Sequence, residues 1–153
     1  MTYGRGTSPV VEGLVVPRPP LPNDAVELLR RPNPAVMATL RSDGTPVTAA
    51  TWYLWEDDGR VLVNLDATRV RLGHLRRDPR VSLTVLADDW YTHVTVIGRV
   101  VEMRDDEGLA DIDRLSTHYT DRPYANREDP RVSAWIEVER WHGWGATRHE
   151  GAS

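Results

Sequence analysis

Arginine is the residue type in this sequence that is best placed to do chemistry. The stretch NLDATRVRLGHLRRDPRVSL, residues 64–83, gathers five arginines against two aspartates in a chain of net charge −4. Arg69 and Arg71 stand just beyond an apolar strand pattern, in the first turns of a helix that Asp66 or Thr68 can cap. A helix N-terminus offers unpaired N–H groups and a partial positive charge, which suits an anion. Guanidinium forks match phosphate oxygens two at a time. Strand end, Asn64, short loop, Thr68, Arg69 and Arg71 therefore read as a phosphate cradle. The competing reading is a solvated basic face, and Arg76, Arg77 and Arg80 are left with it. All 19 basic residues are arginine, with no lysine and no phenylalanine, the mark of GC-rich coding. Clustering must count for more than identity in such a chain.

Other chemistries find little support. The sequence has no Walker A motif, no GxGxxG and no GxSxG. Histidines at 74, 93, 118, 142 and 149 lack HxH or HxxxH spacing, so a zinc site is not expected. Absence of cysteine excludes disulfides and thiolate nucleophiles. The paired aspartates at 57–58, 88–89 and 105–106 read as solvated turns. An acidic balance argues against nucleic acid as a partner. With no apolar leader and no run long enough to span a bilayer, the expectation is a cytoplasmic protein without membrane association.

The elements that must position the arginines follow from pattern. The stretch VVPRPPLPND cannot be helical, because Pro17, Pro19, Pro20 and Pro22 fix φ and remove donors; residues 1–23 read as an extended Pro-rich arm, either loose or docked through Val10, Val11, Leu14, Val15 and Val16. Asn23 or Asp24 caps a short helix that Pro32 and Pro34 stop. AVMATLR, VTAATWYLWE and RVLVNL read as three strands of an antiparallel meander, joined by SDGTP and DDG turns. The arginine segment supplies a helix ended by Asp78-Pro79. RVSLTVLA and WYTHVTVIGRVVEMR are strands four and five. A helix over roughly 106–119 and a loop precede the last strand, RVSAWIEVERWHGWG. Residues 147–153 read as a frayed tail. Six strands with two inserted helices make a mainly β fold: one small antiparallel barrel, residues 24–146, with peripheral helices.

The run from Ala35 to Asp89 resembles the pyridoxamine 5′-phosphate oxidase-like superfamily, and within it the flavin/deazaflavin oxidoreductases of actinobacteria, the coenzyme F420-dependent branch. The resemblance rests on the hairpin ATLRSDGTP, the turn and strand DDGRVLVN and the segment RVRLGHLRRDPRVSL, in that order and spacing; it extends from about Asp24 to Trp144. It implies a six-stranded split β-barrel of FMN-binding type, a homodimer with two cofactor sites between subunits. The phosphate would be held at Arg69 and Arg71, where relatives often carry lysine at the second position. The ring would lie against Val47, Thr48, Ala49, Thr51 and Trp52, and against Val63, Asn64 and Leu65. Trp90, Tyr91 and the final WHGWG would reach it from the other subunit.

The function this implies is hydride transfer between the deazaflavin and a small conjugated organic substrate. FMN in the same fold, and a non-catalytic flavin or deazaflavin carrier, are the alternatives. Hydride transfer is the cofactor's chemistry, and the protein supplies position and shielding. Tyr53, Tyr91 or His142 would be the proton donor if solvent is not. Of the tryptophans, Trp52 and Trp55 fall on opposite faces of one strand. Trp135 reads as packing, and Trp141 and Trp144 as interface anchors.

Overall fold

The computed structural model describes residues 17–145. Seven strands form one antiparallel sheet: β1 Ala35–Leu40, β2 Pro46–Thr51, β3 Leu54–Trp55, β4 Val61–Asp66, β5 Arg80–Leu86, β6 His93–Asp105 and β7 Arg131–Trp144. Helix α1 is Asn23–Arg30, α2 is Val70–Arg77, and α3 is Ala110–Thr120, entered through a 3₁₀ turn at Glu107–Leu109. Strand order is β2-β1-β5-β6-β7-β4-β3.

That order contains the shape. β2 and β3 lie at opposite edges of the sheet, yet only Trp52 and Tyr53 separate them in the chain. In a flat sheet of seven strands the edges would stand about 29 Å apart. Three Cα steps reach about 11 Å at most. The sheet must curl until its edges nearly meet, and since β2 and β3 do not pair, the result is a split barrel. This corrects one expectation: the single strand read over residues 47–56 breaks at Trp52–Tyr53, so there are seven strands, not six. The antiparallel neighbours of the expected meander are present, β1 with β2 and β3 with β4, but the break places them at opposite edges, and β1 and β4 are completed by β5 and β7. The alternation that marks a strand says nothing about which distant strand completes its ladder.

Side chains on the concave face fill the barrel. Tyr53, Val61, Val63, Leu83, Val85, Val94 and Ile136 are all essentially inaccessible. β4 is buried on both faces, because Leu62 on its outer side packs with Trp135, Ile112 and Leu115 beneath α3. α1 caps one end with Ala25, Leu28 and Leu29. α2 is tied to β1 by a 2.9 Å hydrogen bond between Thr39 Oγ1 and His74 Nδ1. β6 and β7 slip register at Ile97/Gly98 and Val100/Glu102. Glycine is required at the first slip, since a Cβ on Gly98 would collide with the Glu137 carbonyl.

The expected helix caps also move. α1 begins after Pro22, and α2 after Arg69, neither with a side-chain cap. Asp66 and Thr68 instead bond to each other in the turn before α2. Of the N-terminal arm, the Pro17 carbonyl accepts the Trp141 N–H at 3.0 Å and Leu21 joins the core. Val10, Val11, Leu14, Val15 and Val16, and the tail 147–153, lie outside the described residues.

Candidate functional site

Where β2 breaks, the chain leaves the sheet and Trp52 turns outward. A cleft of about 640 Å³ opens there, between the ends of β1, β2 and β4, the start of α2, α3, and the loop that follows α3. One wall is aromatic. Trp52 stacks on Tyr119 with centroids 5.2 Å apart and planes 12° from parallel, and Tyr124 meets Trp52 edge-on at 6.3 Å. The Tyr119 hydroxyl donates to the Asn33 carbonyl at 2.7 Å, and burial pushes its phenol up to about 12. Leu65, Ile112 and Leu115 make the apolar floor.

The lining is also basic. Arg69, Arg71 and Arg131 all line the cleft, Arg131 against the Tyr124 ring. Neither the Arg69 nor the Arg71 side chain makes an ion pair or hydrogen bond among the described residues. Arg71 is half-buried, and its Nη1 is enclosed with no partner. Burial, then the neighbouring Arg69 charge, lowers the Arg71 pKa, which still leaves a guanidinium charged at neutral pH. A desolvated cation beside a second cation is costly unless an anion completes it. The carboxylate nearest to hand, Asp66, is taken: it accepts the Thr68 N–H at 2.8 Å and the Thr68 hydroxyl at 2.6 Å. Those bonds, with help from the Arg131 and Arg69 charges, hold its carboxyl below the usual carboxylate range. This corner has the donors and the missing partner that a phosphate group would supply.

Behind the cleft runs a closed polar network. Asn64 donates through Nδ2 to Asp106 at 3.0 Å and to Ser133 Oγ at 3.1 Å, and accepts from Arg131 Nε at 2.7 Å. Asp106 also accepts the N–H groups of Asp111 and Ile112, both at 2.8 Å, and so caps α3. Ser133 Oγ donates to Asp111 Oδ2 at 2.7 Å.

Of the residues singled out from sequence, Thr51, Trp52, Asn64, Leu65, Arg69 and Arg71 come together around the cleft. Thr68 is exposed, bonded to Asp66, and is not part of the lining. Val47, Thr48 and Ala49 run along edge strand β2 and are not part of the lining. Val63 faces the barrel core. Tyr53 is fully enclosed, with its hydroxyl given to the Arg31 carbonyl at 3.1 Å and its pKa raised by burial. It does not reach the cleft, because the break at Trp52 turns the two neighbours in opposite directions. Trp90 and Tyr91 stack on each other, 4.1 Å apart and exposed, in the β5–β6 turn. His142 lies eleven residues along β7 from Arg131, edge-on to His93 at 6.5 Å. Burial, then His93, lowers its pKa. None of these three lines the cleft of its own chain. Sequence reasoning missed Tyr119, Tyr124 and Arg131 as cleft residues. Tyr119 carries only a helical period, and one arginine among 19 carries no signal.

Similarity to known proteins agrees with this fold. No curated protein matches the chain. A solved F420 reductase is 26% identical, with 80% of this chain and 98% of that chain covered and a TM-score of 0.71. A conserved hypothetical protein from Mycobacterium tuberculosis is 24% identical over 83% of this chain and 86% of that chain, TM-score 0.63. A putative pyridoxamine 5′-phosphate oxidase from Listeria innocua, 15% identical, shares the fold over 79% of this chain and 95% of that chain, TM-score 0.63. The family model for pyridoxamine 5′-phosphate oxidase matches residues 21–145, nearly the whole of the barrel described above, and the chain belongs to that family.

Proposed function

We propose that this protein is a coenzyme F420-dependent oxidoreductase, acting on a small conjugated organic substrate as a cytoplasmic homodimer. One observation carries the reading: the partnerless Nη1 of Arg71, buried beside Arg69 at the rim of an aromatic-walled cleft. The 26% identity to an F420 reductase supports the choice of cofactor. Bound F420 would supply the hydride chemistry of its deazaflavin ring.

The chain's own residues bind, orient and shield. Arg69 and Arg71 would take the cofactor phosphate. Trp52 and Tyr119 give a flat apolar face, and Leu65 closes the floor against water. Holding two flat reactants in register lowers the barrier without any acid–base pair. The Tyr53 hydroxyl is committed to Arg31, which leaves Tyr91 and His142 of a second copy, or solvent, to provide a proton. Trp90 and Tyr91 are exposed in the single chain, as residues awaiting a second copy would be. Among the described residues no helix is long and apolar enough to cross a membrane.

FMN is the second reading, favoured by the family match, and the same basic corner suits its phosphate. Titrating the purified protein with F420 and with FMN, followed by fluorescence, separates the two. Arg69→Ala and Arg71→Ala should each weaken binding by several-fold to about a hundredfold, as expected for one charged hydrogen bond. Unchanged affinity in both variants overturns the cradle. Turnover of quinones or enones with regenerated F420 then distinguishes an enzyme from a carrier.

A further inference from the structure

Arg131 is held differently from the other two arginines of the cleft. Its Nε donates to Asn64 Oδ1 at 2.7 Å, and its Nη groups to the Asn64 carbonyl and the Tyr124 hydroxyl, both at 3.4 Å. The guanidinium lies 4.8 Å from the Tyr124 ring centroid. Every one of these partners is neutral, and Arg131 makes no ion pair among the described residues. None of the surrounding carboxylates bonds to it: Asp66 accepts from Thr68 and meets the Arg131 charge only through space, Asp106 accepts from Asn64 and the start of α3, and Asp111 from Ser133 and Arg114. A guanidinium fixed entirely by neutral acceptors keeps its charge for a further partner.

Its orientation is imposed from behind. An ionised carboxylate only accepts hydrogen bonds, so Asp106 must face an N–H. Asn64 therefore turns Nδ2 toward Asp106 and Ser133, and Oδ1 is left facing Arg131. Asn64 acts as a positioning residue. What it positions is a cation on the same wall as Tyr124 and Trp52.

We propose that Arg131, preset by Asn64, selects substrates that carry an anionic group, such as a carboxylate, on a flat conjugated body. The body lies along Trp52 and Tyr124, and the anion meets the open side of the guanidinium. This rests on reading the cleft as an oxidoreductase site and adds the charge class of what that site accepts. A second anionic group on the cofactor shares the same chemistry, so the test separates the two sources.

The intact chain, without cofactor, is titrated calorimetrically with 2-naphthoate and 2-naphthamide, which share a flat body and differ in charge. The wild type should prefer the acid by about tenfold. Arg131→Gln should abolish that preference. Arg131→Lys should retain only part of it, since an ammonium cannot reproduce the fork held by Asn64. Arg69→Ala and Arg71→Ala should leave it intact. Equal binding of the two probes by wild type overturns the proposal without any variant having to fold. A preference that survives Arg131→Gln, or that vanishes with Arg69 or Arg71, overturns it too. FMN titrated into Arg131→Gln assigns the source: unchanged affinity supports the substrate, and a loss of FMN affinity assigns the arginine to the cofactor and overturns the proposal. Should the preference hold while wild type binds neither F420 nor FMN, the cofactor reading alone fails.

Discussion

Two groups of arginines, which meet along β7, are used in opposite ways. Around Trp135 every cation is matched. Arg60 bridges Asp58 at 2.8 Å and Glu102 at 2.9 Å, Arg104 reaches Glu102 at 3.1 Å, and both guanidiniums lie over the indole. Arg114 pairs with Glu56, which also accepts the Trp135 Nε1–H at 2.9 Å. Around Trp52, by contrast, Arg69 and Arg71 face a cleft with no carboxylate partner, and Arg131 is held by neutral groups. Both regions pair tryptophan with arginine in a chain that has no lysine. The difference is whether the cation is finished. The first region has the character of a surface brace, whose exposed pairs contribute little individually. The second holds unspent charge, which is what a binding site for an anion requires.

The contrast can be broken most severely through Asp106. Asp106→Ala removes the acceptor of the Asn64, Asp111 and Ile112 N–H groups. At about 1 kcal/mol per bond, roughly 3 kcal/mol of stability should be lost. A urea midpoint that does not fall would mean that the network behind the cleft is not structural.

A smaller effect of opposite sign tests the cleft itself. Arg71→Met replaces a half-buried cation that lacks a partner with an apolar chain of similar length. The ligand-free protein should gain about 1 kcal/mol, while affinity for a phosphorylated cofactor falls. Arg114→Ala, from the finished region, should only destabilise. If Arg71→Met also lowers the thermal midpoint, the charge at that corner is satisfied and the contrast is lost.

The mildest test concerns a finished pair on the surface. Hydrogen bonds from the Arg80 side chain and N–H hold the Asp78 carboxyl down at about 2, against an ordinary value of 3.8. A depressed folded value means that the pair's contribution is fully present above about pH 4 and is lost as pH falls toward 2. NMR titration of Asp78 should show this low value, and Arg80→Ala should move it back toward 3.8. The Arg71→Ala variant, by comparison, should leave every carboxylate titration in place.

The local elements were legible in the sequence. Alternation marked β2 and β7, and the Asp43-Gly44 turn set the first hairpin. Arg69 and Arg71 stood out because they follow a strand end at the start of a helix, a position with a physical meaning that survives a GC-rich composition. Tyr119, Tyr124 and Arg131 did not stand out. They reach the cleft from α3, a loop and β7, elements more than 45 residues away from Arg71 in the chain.

The sequence by itself determined periodicity, turns and the composition of charge, because these are set by neighbours a few residues apart. Only the tertiary structure decided that the strand containing Trp52 breaks and spans both edges of the sheet. It also decided which arginines found a carboxylate. Pairing depends on groups brought together across the barrel, such as Arg60 with Glu102 or Asn64 with Arg131. No local pattern records which charges will be left without a partner once the chain has closed.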